Sequence, residues 1–146
     1  MDISLSDVSL GTYKQLLPAS LSIIKKAEKY FTEEQIDLNE LSKMRLIDDM
    51  APLTFQVFSI VHHSVGAIEA LKAGEFGPPK TPENLSFQDL VTMLENANSD
   101  LNKITEDEVN SLSGGEVIFK MGQIEWPFTS NDFILSFSLP NFYFHV

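Results

Sequence analysis

Residues 45–71 read RLIDDMAPLTFQVFSIVHHSVGAIEAL, and this segment contains the most informative pattern in the chain. A short polar and acidic entry leads into Pro52, after which apolar residues recur at three- and four-residue spacing. Proline is favoured in the first turn of a helix, and a glycine such as Gly74 commonly ends one. The stretch therefore predicts one amphipathic helix from about Pro52 to Ala73, carrying two of the three histidines.

Upstream of this stretch, the sequence predicts a long helix and a connection. Apolar residues between Leu10 and Phe31 recur at helical spacing. Pro18 lies inside that pattern, and it should kink or restart the helix because proline removes a backbone hydrogen bond. Residues 33–43 are predicted to connect this helix to the next, with a short helical turn at 39–43.

Downstream, a loop and a third helix are predicted. The segment 76–82, FGPPKTP, contains too many turn residues for a helix to continue. Ser86 followed by Asp89 resembles a capping box, which places a helix start there. The apolar stripe that follows extends this helix to about Ile104.

The spacing of apolar residues changes in the last part of the chain. Residues 116–128 alternate in the manner of a small β-hairpin, with the aromatic side expected to pack on the helices. Thr129 or Ser130 can cap a fourth helix, residues 133–146, which Pro140 should interrupt. Together the elements predict an all-α, antiparallel four-helix bundle with a small hairpin, formed by residues 1–146 as a single domain.

Composition limits the class of protein. The chain has 146 residues, 43% of them hydrophobic, and a formal net charge of −11. That charge repels a phosphate backbone, so no nucleic-acid partner is expected. With no cysteine, neither disulfides nor thiolate metal sites can form. No signal-peptide pattern or membrane-length apolar run is present, which favours a soluble, cytoplasmic protein without membrane contact.

Histidines are the main candidates for chemistry, since the sequence contains no phosphate-binding glycine loop, HExxH motif or nucleophile elbow. Adjacent helical residues diverge by about 100°, so His62 and His63 cannot both face inward. The apolar arc of the predicted helix places His63 at its edge, on the side of Gln56. We therefore expect His63, and not His62, to face the interior.

Two sets of polar residues allow more than one interpretation. Arg45 with Asp48 and Asp49 could clamp a substrate, but a structural role is favoured in which the arginine ties the loop and an aspartate caps the helix. Gln56 needs partners if it is buried, so it either orients a ligand or satisfies the loop backbone. Those two roles remain equally open.

The segment 141–144, NFYF, is aromatic and polar at once. It could form a pocket wall in which Tyr143 donates a hydrogen bond. Core packing, with Asn141 holding the start of a helix, is the favoured interpretation.

Two segments carry a resemblance to a known family. RLIDDMAPLTFQV at 45–57 and DFILSFSLPNFYFHV at 132–146 resemble the signature segments of a domain-of-unknown-function family, number 1993 in its series. That family lies within the DinB/YfiT-like superfamily of four-helix bundles, many of which are regarded as metalloenzymes. The resemblance implies this fold for nearly the whole chain. Because the family's fourth helix continues further, we expect the last helix to be truncated at Val146.

The resemblance also implies a possible metal site. The superfamily typically uses one histidine from the second helix and a His-x-x-x-His pair from the fourth. Here His63 and His145 match, while the last histidine would lie beyond Val146, so Asp49 or Asp48 would have to complete the set. The metal would be a divalent Zn, Ni, Fe or Mn ion. Hydrogen-bonded boundary histidines without a metal are favoured over this site.

The function predicted from these observations is small-molecule binding, with or without catalysis, inside the bundle. The alternatives are a metal-dependent enzyme and a non-catalytic module that forms a homodimer through its last helix. The candidate pocket residues are Arg45, Asp49, Gln56, His63, Asn141, Tyr143 and His145.

Overall fold

The computed structural model describes residues 3–80 and 82–146, and it is mostly helical with one small sheet. The helices are α1 Leu5–Val8, α2 Leu10–Glu33, α3 Leu38–Lys43, α4 Leu53–His62, α5 Val65–Ala73, α6 Phe87–Lys103, α7 Glu106–Ser111, α8 Ser130–Asp132, a π-helix Phe133–Ser138 and α9 Leu139–His145. The strands are β1 Glu75–Phe76, β2 Glu116–Met121 and β3 Ile124–Thr129.

Helix α2 is one helix, so the predicted restart at Pro18 is wrong. A proline removes only one hydrogen bond, and burial of an apolar face compensates for that loss. The predicted capping box of α6 is confirmed: the Ser86 hydroxyl accepts the Asp89 N–H at 3.2 Å, and the Asp89 carboxylate accepts the Ser86 N–H at 2.8 Å.

The single helix predicted over 52–73 is divided into α4 and α5 at His63 and Ser64. Ser64 has φ −115° and ψ −85°, which is outside the helical range. Its hydroxyl donates to the carbonyl of Ile60 at 2.7 Å and so competes with the backbone ladder. As predicted, Gly74 ends the second half, in the left-handed conformation with φ 72°.

The predicted hairpin is confirmed as β2 and β3, which pair antiparallel from Glu116–Thr129 to Met121–Ile124. Strand β1, which was not predicted, adds to β2 in parallel and makes the sheet three-stranded. Phe119 is buried against the helices, but Trp126 remains half exposed. The expectation of a buried aromatic side therefore holds for Phe119 and for Phe128, which packs on Phe133 and Phe137, and is wrong for Trp126.

The last helical segment begins as predicted, because the Thr129 hydroxyl accepts the Asp132 N–H at 3.1 Å. Pro140 does not interrupt it: the π-helix precedes the proline, and α9 continues through it to His145. The side chain of Asn141 donates to the carbonyl of Phe137 at 2.7 Å. The wider π turn and this side-chain bond together accommodate a residue that has no N–H.

The core forms where α2 packs on α6 and where α4 packs on both α6 and α9. Its largest fully buried side chains include Tyr13, Leu17, Ile68, Phe87, Leu90, Leu94, Phe133 and Phe142. Across residues 3–80 and 82–146, no helix combines the length and apolar character needed to cross a membrane.

Candidate functional site

Gln56 and His145 meet where α4 packs against α9. The Gln56 Nε2 donates to the carbonyl of Ala51 at 3.0 Å, and its Oε1 lies 2.7 Å from the Nδ1 of His145. A backbone carbonyl only accepts, so the amide nitrogen must face Ala51 and the oxygen must face the imidazole. The Nδ1 of His145 therefore carries the proton of this bond.

His63 lies behind this pair and is only 5% exposed. Its ring stacks on that of His145 with centroids 6.1 Å apart and planes 17° apart. Its Nδ1 lies 3.4 Å from the hydroxyl of Ser138, which in turn donates to the His63 carbonyl at 3.1 Å. The π-helix thus supplies the polar contact of the buried histidine, and Phe76 and Phe137 pack on the ring.

The histidines are held neutral by their surroundings. Burial, followed by the proximity of His62 and His145, lowers the pKa of His63 to about 3. Burial also lowers the pKa of His145. It lowers the pKa of His62 as well, partly opposed by the bond between His62 Nε2 and the Gly77 carbonyl at 2.9 Å. Near neutral pH these rings act as hydrogen-bonding groups and not as cations.

A cavity of about 320 Å³ opens on one side of the Gln56–His145 pair. Its wall is mainly apolar and is formed by Leu41, Met44, Arg45, Leu46, Met50, Ala51, Leu53, Gln56, Phe144, His145 and Val146. A second cavity of about 100 Å³ touches the same pair from the side of α2, where Ser20, Ile23 and Ile24 line it. The pair is thus accessible from two apolar spaces.

Arg45 ties the loop before α4, as the structural interpretation predicted. Its guanidinium Nη1 donates to the carbonyl of Met50. The second half of that interpretation is wrong, since Asp48 and Asp49 are exposed and neither caps the helix. The N-cap of α4 is Pro52, which offers no side-chain bond.

Comparison with known families decides the classification of this chain. The sequence model of the family described as "Domain of unknown function (DUF1993)" matches residues 5–146. The chain belongs to this family. Comparison with curated proteins finds no match.

A solved structure shares the fold of this DUF1993 domain. It is the crystal structure of a DinB family member from Shewanella denitrificans, with a TM-score of 0.75 and 20% sequence identity. The match covers 97% of this chain and 79% of that one. At this identity the likeness concerns the fold alone, and it agrees with the DinB-like resemblance of the two signature segments.

The described side chains of this DUF1993 domain do not fit the metal site that the superfamily implies. Among the described residues, no three His, Asp or Glu side chains come close enough to hold an ion. Asp49 lies in the exposed loop and does not join the two imidazoles. The Nδ1 atoms of His63 and His145 already bond to Ser138 and Gln56.

The structure brings some of the predicted pocket residues together and separates others. Arg45, Gln56 and His145 line the larger cavity, and His63 supports His145 from behind. The side-chain nitrogen of Asn141 is bonded to the Phe137 carbonyl of the preceding π-helix, and Asn141 is not part of the cavity wall. Tyr143 is 56% exposed and is not part of the cavity wall.

Sequence reasoning missed most of the apolar wall and the contact of Ser138. The loop before α4 contributes Met44, Leu46 and Met50, and α9 contributes Phe144. The available signal was the apolar residues in a segment that follows no helical or strand period. Apolar residues grouped in an exposed loop are typical of a binding surface.

Proposed function

We propose that this DUF1993 domain binds a small apolar molecule in the 320 Å³ cavity, with the Gln56–His145 pair as its polar contact. The observation that carries the proposal is the convergence of a fixed imidazole with an apolar wall. Ligand sites are typically apolar clefts of about 300–1,000 Å³ with a few well-placed polar groups. The cavity lies at the lower end of that range, which favours a ligand of one or two rings.

Exposed apolar side chains at the mouth support the same proposal. Leu46 is 87% exposed and Phe144 is 71% exposed, and both line the cavity. A ligand that covers them removes apolar surface from water, which contributes about 25 cal/mol for each Å². Arg45 uses one N–H on Met50, so its remaining donors are available to an acceptor group at the edge of the ligand.

We propose that the fold around the cavity is an antiparallel four-helix bundle of the DinB type. The four members of this bundle are α2, the consecutive helices α4 and α5 counted together, α6, and the segment from α8 to α9. The packing of α2 on α6 and of α4 on α6 and α9 supports it. Bundle interfaces of this kind commonly hold ligands between facing helices.

Methionine methyl groups offer a direct test by NMR. Met44 and Met50 line the cavity, whereas Met93 and Met121 lie elsewhere. With methyl-labelled protein and a library of one- and two-ring fragments, we expect bound fragments to give nuclear Overhauser contacts to Met44 and Met50 only. Fragments that contact Met93 and Met121 equally, or no contacts at all, would refute a specific site.

A pair of variants provides the matched control. Leu53 lines both cavities, while Leu135 is 52% exposed on the π-helix. Leu53→Trp should fill the cavity and abolish fragment binding, and Leu135→Trp should leave the binding unchanged. Unchanged fragment binding in Leu53→Trp would contradict the proposal. If that variant fails to fold, the methyl contacts in the unmodified protein still test the proposal.

A further inference from the structure

We propose that the Nε2 of His145 is a fixed hydrogen-bond acceptor that selects ligands carrying an O–H or N–H donor on an apolar body. This inference rests on the proposed function and names the ligand class for the same cavity. It makes His145 the residue that determines specificity and Gln56 the residue that positions it.

The Gln56 amide is held in one orientation. Its nitrogen faces the Ala51 carbonyl at 3.0 Å, and that carbonyl cannot donate. Turning the amide over would place an oxygen against the carbonyl oxygen and lose the bond. The amide oxygen therefore remains directed at His145.

The orientation of the Gln56 amide determines the tautomer of His145. An amide oxygen accepts only, so the proton of the 2.7 Å contact must be on Nδ1. A neutral imidazole has one proton, which leaves a lone pair on Nε2. Within the described part of the chain, no residue donates a hydrogen bond to that nitrogen, although His145 lines both cavities.

Neighbouring aromatic rings hold the imidazole of His145 in its orientation. His63 stacks on one face of His145, and Phe55 meets the ring in a T-shaped contact with centroids 5.8 Å apart. Rotating the imidazole would break these contacts together with the bond to Gln56. The acceptor is thus held in place before a ligand arrives, which reduces the entropic cost of binding.

The other two histidines do not offer the same group. The Nε2 of His62 bonds to the Gly77 carbonyl, so in that ring Nε2 carries the proton. His63 is almost fully buried behind His145. His62 is therefore a suitable control position.

A matched pair of probes tests the selection. 4-Chlorophenol and 4-chloroanisole share an apolar ring, and only the phenol has a donor. Since the anisole is the more apolar, the hydrophobic effect alone favours its binding. We expect the phenol to bind at least about tenfold more tightly in an NMR titration, a difference of about 1.4 kcal/mol.

Two variants assign the preference to one nitrogen. His145→Phe should remove the preference for the phenol, and His62→Phe should retain it. A preference that survives in His145→Phe, or equal affinities for both probes in the unmodified protein, would overturn the inference. If the anisole binds as well as the phenol and still contacts Met44 and Met50, the cavity stands as a binding site and only the donor selection fails.

Direct observation of the tautomer keeps the inference testable if His145→Phe does not fold. Imidazole ¹⁵N chemical shifts of the unmodified protein should show His145 protonated at Nδ1 and His62 at Nε2. A His145 ring protonated at Nε2 would overturn the inference. The inference would also be overturned if neither probe contacted the Met44 and Met50 methyl groups. In that case the experiment with the fragment library would test separately whether the cavity binds ligands.

Discussion

The Nδ1 of His145 lies 2.7 Å from the Oε1 of Gln56, although the two residues are 89 positions apart in the chain. This bond joins α4 to α9, and the other end of the same amide holds the carbonyl of Ala51. One side chain thus links the loop before α4, the helix itself and the last helix of the chain.

Replacing Gln56 with leucine should lower the free energy of unfolding by about 1–3 kcal/mol. The change removes both hydrogen bonds and leaves the half-buried Ala51 carbonyl and His145 Nδ1 without this partner. Urea unfolding at pH 7 measures the loss. Gln88→Leu, at an exposed position of α6, is the control and should change stability by less than about 0.5 kcal/mol. Equal losses in the two variants would contradict this role of Gln56.

The burial of His63 should make the protein less stable in mild acid. The pKa of His63 is about 3 in the folded chain, whereas an unperturbed histidine has a pKa of 6.5. Between these two pH values, the unfolded chain binds a proton at this residue that the folded chain does not. Stability is therefore fully present above pH 6.5 and is lost as the pH falls, at up to about 1.4 kcal/mol per pH unit.

We expect His63→Phe to lose less stability than the unmodified protein between pH 7 and pH 5, by about 2 kcal/mol. Urea unfolding at both pH values measures the difference, so any constant effect of the substitution cancels. The lowered pKa values of His62 and His145 act in the same direction and remain in the variant. An identical loss in both proteins would show that His63 is not the group responsible.

Tyr13→Phe should leave stability unchanged or raise it by up to about 1 kcal/mol. Among the described residues, the fully buried Tyr13 hydroxyl has no partner at hydrogen-bonding distance and angle, and Ser138 is its polar neighbour. Burial raises the pKa of Tyr13 well above its usual range. Removing an unpaired buried hydroxyl removes a desolvation cost and keeps the edge-on contact with Phe142.

Thermal unfolding of Tyr13→Phe, compared with Tyr30→Phe at an exposed site, measures this effect. A loss of more than about 1 kcal/mol in Tyr13→Phe alone would indicate a hydrogen bond to the hydroxyl in solution.

Two glycines should respond oppositely to alanine. Gly74 ends α5 with φ 72°, and an added Cβ would lie 3.4 Å from the Glu116 carbonyl oxygen. Gly74→Ala should therefore destabilise the protein by about 1 kcal/mol or more. Gly11 lies in the first turn of α2, where an added Cβ would meet the Ser6 oxygen at 3.8 Å, an ordinary van der Waals contact. Gly11→Ala should stabilise by about 0.4–1 kcal/mol, and the same sign for both changes would refute the argument.

Local patterns predicted most of the helices because the apolar period and the capping residues act over a few positions. The Ser86–Asp89 box, the Gly74 terminator and the Thr129 cap are all of this kind. The break at Ser64 was missed because its hydroxyl bonds back to Ile60, an alternative that no apolar period reveals. The two-residue strand β1 was missed because it exists only through pairing with β2, more than 40 residues further on.

The candidate site was predictable in its polar part only. The helical period predicted that His63 lies on the side of Gln56. His145 was predicted from the family resemblance. The apolar wall depends on how the loop 44–52 folds against α9, and the tautomers depend on which carbonyl each side chain reaches. The apolar wall and the tautomers both depend on tertiary contacts, which a local sequence pattern does not reveal. Tyr143 illustrates the same limit, since its position within α9 leaves it 56% exposed.

The π-helix at Phe133–Ser138 also fixes the rotational phase of everything that follows it. A π turn contains one residue more than an α turn, and one residue corresponds to about 100° around a helix axis. If the same residues adopted a regular α-helix, every side chain after them would turn by about a quarter of a revolution or more, and His145 would no longer face Gln56. Deleting one residue at the same time would largely cancel that rotation, because the wider turn takes up one residue. The alignment of His145 with Gln56 therefore depends on the winding of these six residues as well as on the two side chains themselves.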